Sequence, residues 1–489
     1  MAESVASRES KMTSTKDIQK ASRWRLRPRE RRNLLLLGDF IVAVIALIVA
    51  LSFWASAAEW LGFSLAFLQQ RTPLWFFTLP LIWLVLLVEL YDVNRAGNWR
   101  ATVRGVAGAA LIGLMVYLAL YFAFSDPPKS LLPRRGVAAF LVSASILTLV
   151  WRYVYIRVFT APRFMRRALL VGGGQGGQSL LQVINSIKPP PFHVLGILDD
   201  DVNKIGTQIE NFPVLAGCNQ LLEIAGEQSI TDILVAISGE MRGETFRILL
   251  DAQELGVEIT RMAVAYEELL GRVPIRQLEA DWILRSFVDQ NRAGGFYEFG
   301  KRMLDILGGL IFGLFTLLVL PFVGLGILIE SGRPIFYSQV RAGKGAQHYK
   351  IIKFRTMRQD AEPDGVPQWA AEDDERATRV GRILRKTHLD ELPQCVNVLK
   401  GEMSLVGPRA ERPELMAMFQ KHVPFYRGRL LVKPGITGWA QVNYGYAATI
   451  EETIVKLEYD LYYIKNRNLL LDLMILLRTP STMFSFRGQ

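Results

Sequence analysis

Cysteine and histidine are nearly absent: 489 residues contain two cysteines and four histidines. Cys218 and Cys395 stand far apart with no Cys-x-x-Cys spacing, and the histidines are scattered, so neither a disulfide framework nor a zinc site is expected. A reducing, cytoplasmic setting fits that scarcity. Also missing is a Tyr-x-x-x-Lys or similar hydride-transfer set after the chain's glycine-rich strand-to-helix turn, which counts against a dehydrogenase. Acidic charge is in deficit as well, with 57 Lys and Arg against 46 Asp and Glu and a formal net charge of +11. The basic residues crowd beside apolar stretches, where they read as topology signals and anchors to anionic membrane lipid. No nucleic acid partner is expected.

What is abundant is apolar length. Half of the residues are hydrophobic and the mean hydropathy is positive, beyond what a purely soluble protein usually shows. Residues 1–32 read as a basic cytoplasmic tail ending in WRLRPRERR, and 33–158 as a bundle of four transmembrane helices at 34–54, 74–91, 106–124 and 137–155. Each stretch is long enough to cross about 30 Å of hydrocarbon. The first is span-length and lacks a clear small-residue cleavage pattern, so it is read as an uncleaved span. The basic tail, the loop with Arg95, Arg100 and Arg104, and Arg157, Arg163, Arg166 and Arg167 after the fourth stretch put both termini in the cytoplasm.

Over 165–291 the pattern changes to short β-rich runs, RRALLVGGG, HVLGILDDD, ILVAISG and GVEITRMAV, alternating with amphipathic stretches. That alternation predicts a Rossmann-like, doubly wound parallel sheet. Gly172, Gly174 and Gly177 stand at G-x-G-x-x-G spacing after the first run, with Asp199 and Asp200 ending the next. The spacing suits a nucleotide loop. Glycines that serve only the tight turn are the preferred account, because no redox residues follow.

Residues 296–489 form the third expected unit. It opens with an apolar segment at about 305–330 interrupted by Pro321, expected to enter and leave the membrane by the same face. A fifth crossing or a Pro-kinked core helix are the competing readings. The alternating stretch around Gly343 and Gly345 predicts a hairpin delivering Lys353 and Arg355 toward a site, followed by an acidic surface loop at 359–375.

Asp390 and Glu391, within RKTHLDELPQ, are the chemical centre of the sequence. Acids in the first turn of a helix capped by Thr387 would be ordinary on their own. Their company is not: Arg385, Lys386 and Arg409 supply charge for phosphate oxygens, so one carboxylate can attack phosphorus while the other holds a divalent cation. Leu389, Leu392, Val396 and Leu399 are expected to bury one face of the helix. Trp439, Tyr459, Tyr462 and Tyr463 near the C-terminus suit either headgroup anchors or core packing.

KFRTM, RKTHLDELPQ, GEMSLVGPR, KPGITGWAQVNYG and YDLYYIKNRNLLLDL occur here in this order. On these motifs the chain resembles the bacterial polyprenyl-phosphate sugar-1-phosphate transferases, the large monotopic phosphoglycosyl transferases. The resemblance implies a multidomain membrane protein with a four-helix bundle, a Rossmann-like domain and a mainly α catalytic domain with a re-entrant helix. It implies that Asp390 attacks the β-phosphate of a UDP-hexose and releases UMP, and that undecaprenyl phosphate then takes the phosphosugar from Asp390. Glu391 would hold Mg²⁺, and Arg385, Arg409, Lys353 and Arg355 would bind phosphate. Glucose or galactose is the expected hexose, exopolysaccharide, capsule or O-antigen the product, and the cytoplasmic face of the bacterial inner membrane the location. A homodimer through the central domain is left open. The alternative from another enzyme class is a membrane-tethered NAD-dependent nucleotide-sugar oxidoreductase or epimerase using the Gly172 loop. Ala410 and His388 depart from the family's commoner Pro and Ser.

Overall fold

In the computed structural model, residues 28–56, 63–91, 96–123, 132–159, 165–187, 190–237, 239, 241–277, 294–358, 376–445 and 449–484 are described. The chain divides into two units, 1–269 and 270–489. Most of the basic tail and the acidic stretch 359–375 lie outside the described residues.

Three helices of the first unit are long and apolar enough to cross a membrane: α1 (Pro28–Ser56), α2 (Trp99–Ala123) and α3 (Arg134–Phe159). The second expected span, 74–91, differs. It consists of a 3-10 turn Leu74–Thr78, a short helix Leu79–Leu86 and a second turn Val88–Tyr91. Pro80 has no amide hydrogen for the Phe76 carbonyl, which instead accepts the Leu79 N–H in a tighter turn. Buried polar groups fix the helix registers: the Trp83 indole donates to Thr148 at 3.0 Å, and the fully buried Arg152 pairs with Asp39 at 2.7 Å. An unpaired charge there would be far more costly than the pair.

The same unit carries a six-stranded sheet made of β1 (Arg166–Val171), β2 (Phe192–Leu198), β3 (Gln208–Ile209), β4 (Phe212–Ala216), β5 (Asp232–Val235) and β6 (Glu258–Arg261). The order is β3-β4-β2-β1-β5-β6. Every pairing is parallel except β3 with β4. All four β-rich runs named above form strands, and β1 and β5 are buried throughout apart from Arg167, as continuous apolar runs in a parallel sheet require. Helix α4 (Gln175–Ser186) follows the glycine turn after β1.

The long helix of the second unit is α5 (Gly295–Ser331), which runs as one helix of 37 residues through Pro321. A helix broken at Pro321 is therefore not what the structure contains. A proline costs about 3 kcal/mol in a helix interior, and anchorage along one face offsets that cost here. Asp305, Gly309, Thr316, Gly324 and Ile327 are buried on that face. Leu310, Ile311, Leu314, Leu318, Phe322 and Ile329 are exposed. The expected hairpin follows as β7 (Phe336–Ala342) and β8 (His348–Phe354), antiparallel, with Phe336 opposite Phe354. Beyond it lie α6 (Arg379–Lys386), α7 (Cys395–Lys400), β9 (Ser404–Val406), β10 (Gly435–Thr437), α8 (Ile450–Asn466) and α9 (Leu469–Phe484), with β9 and β10 paired in parallel.

Trp439 settles as a core residue. It stacks on Tyr462 and its indole donates to the Gly271 carbonyl at 2.7 Å. Tyr463 is also buried, with its hydroxyl on Asp472 at 2.7 Å. Headgroup anchoring does not describe either residue.

Candidate active site

The acidic pair sits on a short 3-10 segment, Leu389–Gln394, between α6 and α7. Thr387 does not cap it. Its hydroxyl donates back to the Ile383 carbonyl at 2.8 Å, closing α6 as Thr does when its backbone remains helical. The chain turns instead through His388, a left-handed residue at φ 54°, a conformation that costs a non-glycine residue about 1–2 kcal/mol. Three residues per turn and Pro393 then shift the buried face. Val398 is fully buried and Val396 is 40% exposed, the reverse of what a continuous α-helical period gives.

Asp390 and Glu391 are each only 8% exposed. Two cations from distant parts of the sequence converge on them. Lys353, near the end of β8, donates to Glu391 Oε1 at 2.7 Å and stands 3.8 Å from Asp390 Oδ2. Arg409, in the turn after β9, donates to the same Glu391 oxygen at 2.8 Å. Burial pushes the Asp390 carboxyl above its usual range, with Lys353 opposing and Glu391 adding to the rise. Burial also pushes Glu391 up, but Arg409 and Lys353 outweigh it and hold that carboxyl well below the ordinary range. Two neighbouring carboxylates thus have different proton affinities.

Several residues that motif reading passed over hold this constellation together. Asn397 clamps β8 to α7: its amide donates to the Lys350 carbonyl at 2.8 Å, and its side-chain oxygen accepts the Ile352 N–H at 3.2 Å. Arg302 on α5 donates to the carbonyls of Val398 and Leu399. Asp305 accepts from Ser404 and from the Leu405 N–H, each at 2.8 Å. A single Asn or Asp carries little sequence signal, because its meaning lies in partners about 50 to 100 positions away.

Arg355 is engaged differently from Lys353. Its Nη2 donates to the Ser331 carbonyl and hydroxyl and to the Gly332 carbonyl, at 2.5–2.8 Å, tying down the end of α5. Unpaired carbonyls at a helix end are what a guanidinium satisfies best. Arg385 is half-buried in the last turn of α6. The cations that act most strongly on the two carboxylates are Lys353 and Arg409.

Comparison with known proteins falls on the same region. Residues 296–486 match the bacterial sugar transferase family, and residues 86–263 match a CoA-binding domain family. A UDP-glucose:undecaprenyl-phosphate glucose-1-phosphate transferase of Caulobacter vibrioides is 40% identical over 188 residues, 38% of this chain and 70% of that protein. The chain belongs to the bacterial sugar transferase family. A UDP-N-acetylgalactosamine-undecaprenyl-phosphate N-acetylgalactosaminephosphotransferase of Aeromonas hydrophila is 41% identical over 255 residues, covering 51% of this chain. A Xanthomonas campestris pv. campestris UDP-glucose:undecaprenyl-phosphate glucose-1-phosphate transferase is 31% identical over 287 residues. The chain spans 57% of the length of each of these two relatives.

The glycine loop of this family member is geometrically sound and chemically occupied. Gly172 has φ +100°, and a Cβ on Gly177 would stand 2.2 Å from the Gly172 carbonyl oxygen, so both positions need glycine. Asp199 accepts the Gly173 N–H at 2.8 Å and the Asp201 N–H at 2.9 Å, and pairs with Lys204 at 3.1 Å. Its local partners already satisfy the acid that would bind a ribose, and the oxidoreductase or epimerase alternative is not favoured.

Proposed function

We propose that this chain transfers a sugar 1-phosphate from a UDP-hexose to undecaprenyl phosphate and releases UMP, initiating a bacterial exopolysaccharide, capsule or O-antigen. The observation that carries this is the convergence of Lys353 and Arg409 on Glu391 beside the buried Asp390. An Asp390 oxygen attacks the β-phosphorus, the bond from that phosphorus to the bridging oxygen breaks, and the oxygen leaves with UMP. The lipid phosphate's oxygen then attacks the same phosphorus, and the acyl phosphate bond breaks to restore the Asp390 carboxylate. Lys353 and Arg409 stabilise charge on the phosphate oxygens through both steps.

Asp390 and Glu391 offer the hard oxygen donors that Mg²⁺ takes, a cation that keeps waters and substrate phosphates as its remaining ligands. Lys353 and Arg409 already balance the two carboxylates, so the residues suit a cation that arrives with the diphosphate, with Glu391 as its protein ligand. Bound there, Mg²⁺ would supply charge neutralisation across the diphosphate.

The same reading keeps α5 on one side of the membrane. Residues near its start, Arg302 and Asp305, bond the segment 398–405. Near its end, Glu330 accepts the N–H groups of Arg379 and Val380, and Ser331 holds Arg355. Anchoring both ends of this continuous helix to one folded unit supports its lying against a single membrane face, and the apolar outer side supports contact with lipid. Basic loops favour the cytoplasmic face of the inner membrane. Crossing by α1 to α3 together with the apolar segment 74–91, an even number that keeps both ends of the bundle on the cytoplasmic face, and a Rossmann-like role for the central sheet belong to this proposal too. Glucose and galactose are the first donors to test, with N-acetylgalactosamine beside them.

The test is UMP release by the full chain in nanodiscs with Mg²⁺, undecaprenyl phosphate and a panel of UDP-hexoses, run beside Asp390→Asn. One donor should yield UMP, and the substitution should abolish it. Full activity in Asp390→Asn would remove the nucleophile assignment.

A further inference from the structure

The turn that carries Arg409 is held from outside at five consecutive residues. The Gly407 N–H donates to the Thr437 carbonyl at 2.9 Å, the Pro408 carbonyl accepts the Gly435 N–H at 2.9 Å, and the Glu411 carbonyl accepts the Ala342 N–H at 3.1 Å. Arginine side chains take the two carbonyls between. Arg341 Nη1 donates to Ala410 at 3.0 Å, and Arg429 Nη2 donates to Arg409 at 2.9 Å.

Arg429 is committed in every direction. Its Nε donates to Asp460 at 2.8 Å and its Nη1 to the Tyr426 hydroxyl at 2.6 Å. The Arg429 and Asp460 side chains are 10% and 3% exposed. A buried ion pair is a poor source of stability, because desolvating both charges offsets most of their attraction. It is a good way to fix an angle, since a planar guanidinium with three committed nitrogens has a single orientation. What this one fixes is the backbone of the residue whose side chain reaches Glu391 at 2.8 Å.

We propose that Arg429, oriented by Asp460 and Tyr426, is a positioning residue that aims the Arg409 guanidinium at Glu391 and at the donor's phosphates. This rests on the transfer reading above. Arg429 pairs with neither reacting carboxylate among the described residues, and it acts through the Arg409 main chain. Its contribution is geometric: a misplacement of about 1 Å in a clamping group costs about 100-fold in rate.

The test is a double-mutant cycle in the full-length protein in nanodiscs, read as UMP release under saturating donor. Arg429→Lys and Asp460→Asn are each measured alone and combined with Arg409→Ala. Each single substitution should lower the rate about 10- to 100-fold. In the Arg409→Ala background the same substitutions should change it less than about twofold, because groups acting through one another are non-additive. Losses that multiply in that background would overturn the proposal and leave Arg429 a structural residue, and so would full activity in both single variants. If Arg429→Lys fails to fold, judged by its thermal midpoint, Asp460→Asn carries the cycle alone. A wild-type protein that releases no UMP would overturn the transfer reading itself, a result distinct from an active enzyme with multiplicative losses.

Discussion

Two acidic sites in this chain differ in the kind of partner that meets them. Asp199 is satisfied by Gly173, Asp201 and Lys204, the farthest 26 positions away. Burial pushes its carboxyl up, and the hydrogen bonds from Asp201 and Gly173 and the Lys204 charge pull it below its usual range. Glu391 instead meets Lys353 from 38 positions before it and Arg409 from 18 after, on elements pinned by Asn397, Arg302 and Asp305. An acid held mainly by backbone amides stabilises the turns it joins. Acids gathered with cations from separate segments form a site where charge can be handled.

That contrast breaks most sharply at the nucleophile. Asp390→Asn should cut UMP release by at least about 1,000-fold, as loss of a covalent nucleophile does, while Asp199→Asn should leave it within about twofold. A comparable loss in Asp199→Asn would make the central domain part of the chemistry. Next come the clamps: Arg409→Ala and Lys353→Ala are each expected to lower the rate about 100-fold, the usual cost of removing one electrostatic stabiliser. Arg355→Ala should instead lower the thermal midpoint.

A pH profile sharpens the same contrast. Attack needs the ionised Asp390, and burial raises its proton affinity. The acid limb of UMP release should therefore lie above the ordinary aspartate value of about 3.9. For stability the sign reverses between neighbours. Raised Asp390 favours the folded state at low pH and loses that contribution as pH rises through its folded pKa. Lowered Glu391 contributes at higher pH and is lost as pH falls. Asp390→Asn should accordingly fold at least as stably as the wild type at neutral pH, measured by thermal unfolding.

The smallest effect on catalysis is expected at the glycine loop. Gly177→Ala places a Cβ against a backbone oxygen and should destabilise by about 1–3 kcal/mol, visible as a lower thermal midpoint. Release of UMP per folded molecule should be unchanged. A lost turnover with an unchanged midpoint would give the loop a functional role.

Much of this was legible along the chain. Long apolar runs predict α1, α2, α3 and α5, because burial in lipid or core demands only apolar length. The four β-rich runs predict β1, β2, β5 and β6, since a parallel sheet covered by helices needs continuous apolar strands. β4 escaped because FPVLA is short and contains proline. The division of 74–91 into two 3-10 turns and a short helix was not legible, because hydropathy does not register the missing amide of Pro80. Lys353, Asp390, Glu391 and Arg409 stood out by residue type, whereas Asn397, Asp305 and Arg429 had no local signal at all.

By itself, then, the sequence determined what local chemistry can determine: which segments are apolar, where turns need glycine, and which short motifs mark the family. Only the tertiary structure decided that Lys353 reaches Glu391 while Arg355, two residues on, ties down the end of α5. It also decided that Asp199 is already satisfied, and that the Arg409 turn is held by arginines from elsewhere. The physical reason is that hydropathy and turn propensity act over a few residues, whereas charge and hydrogen bonding act wherever the fold brings two groups within about 3 Å.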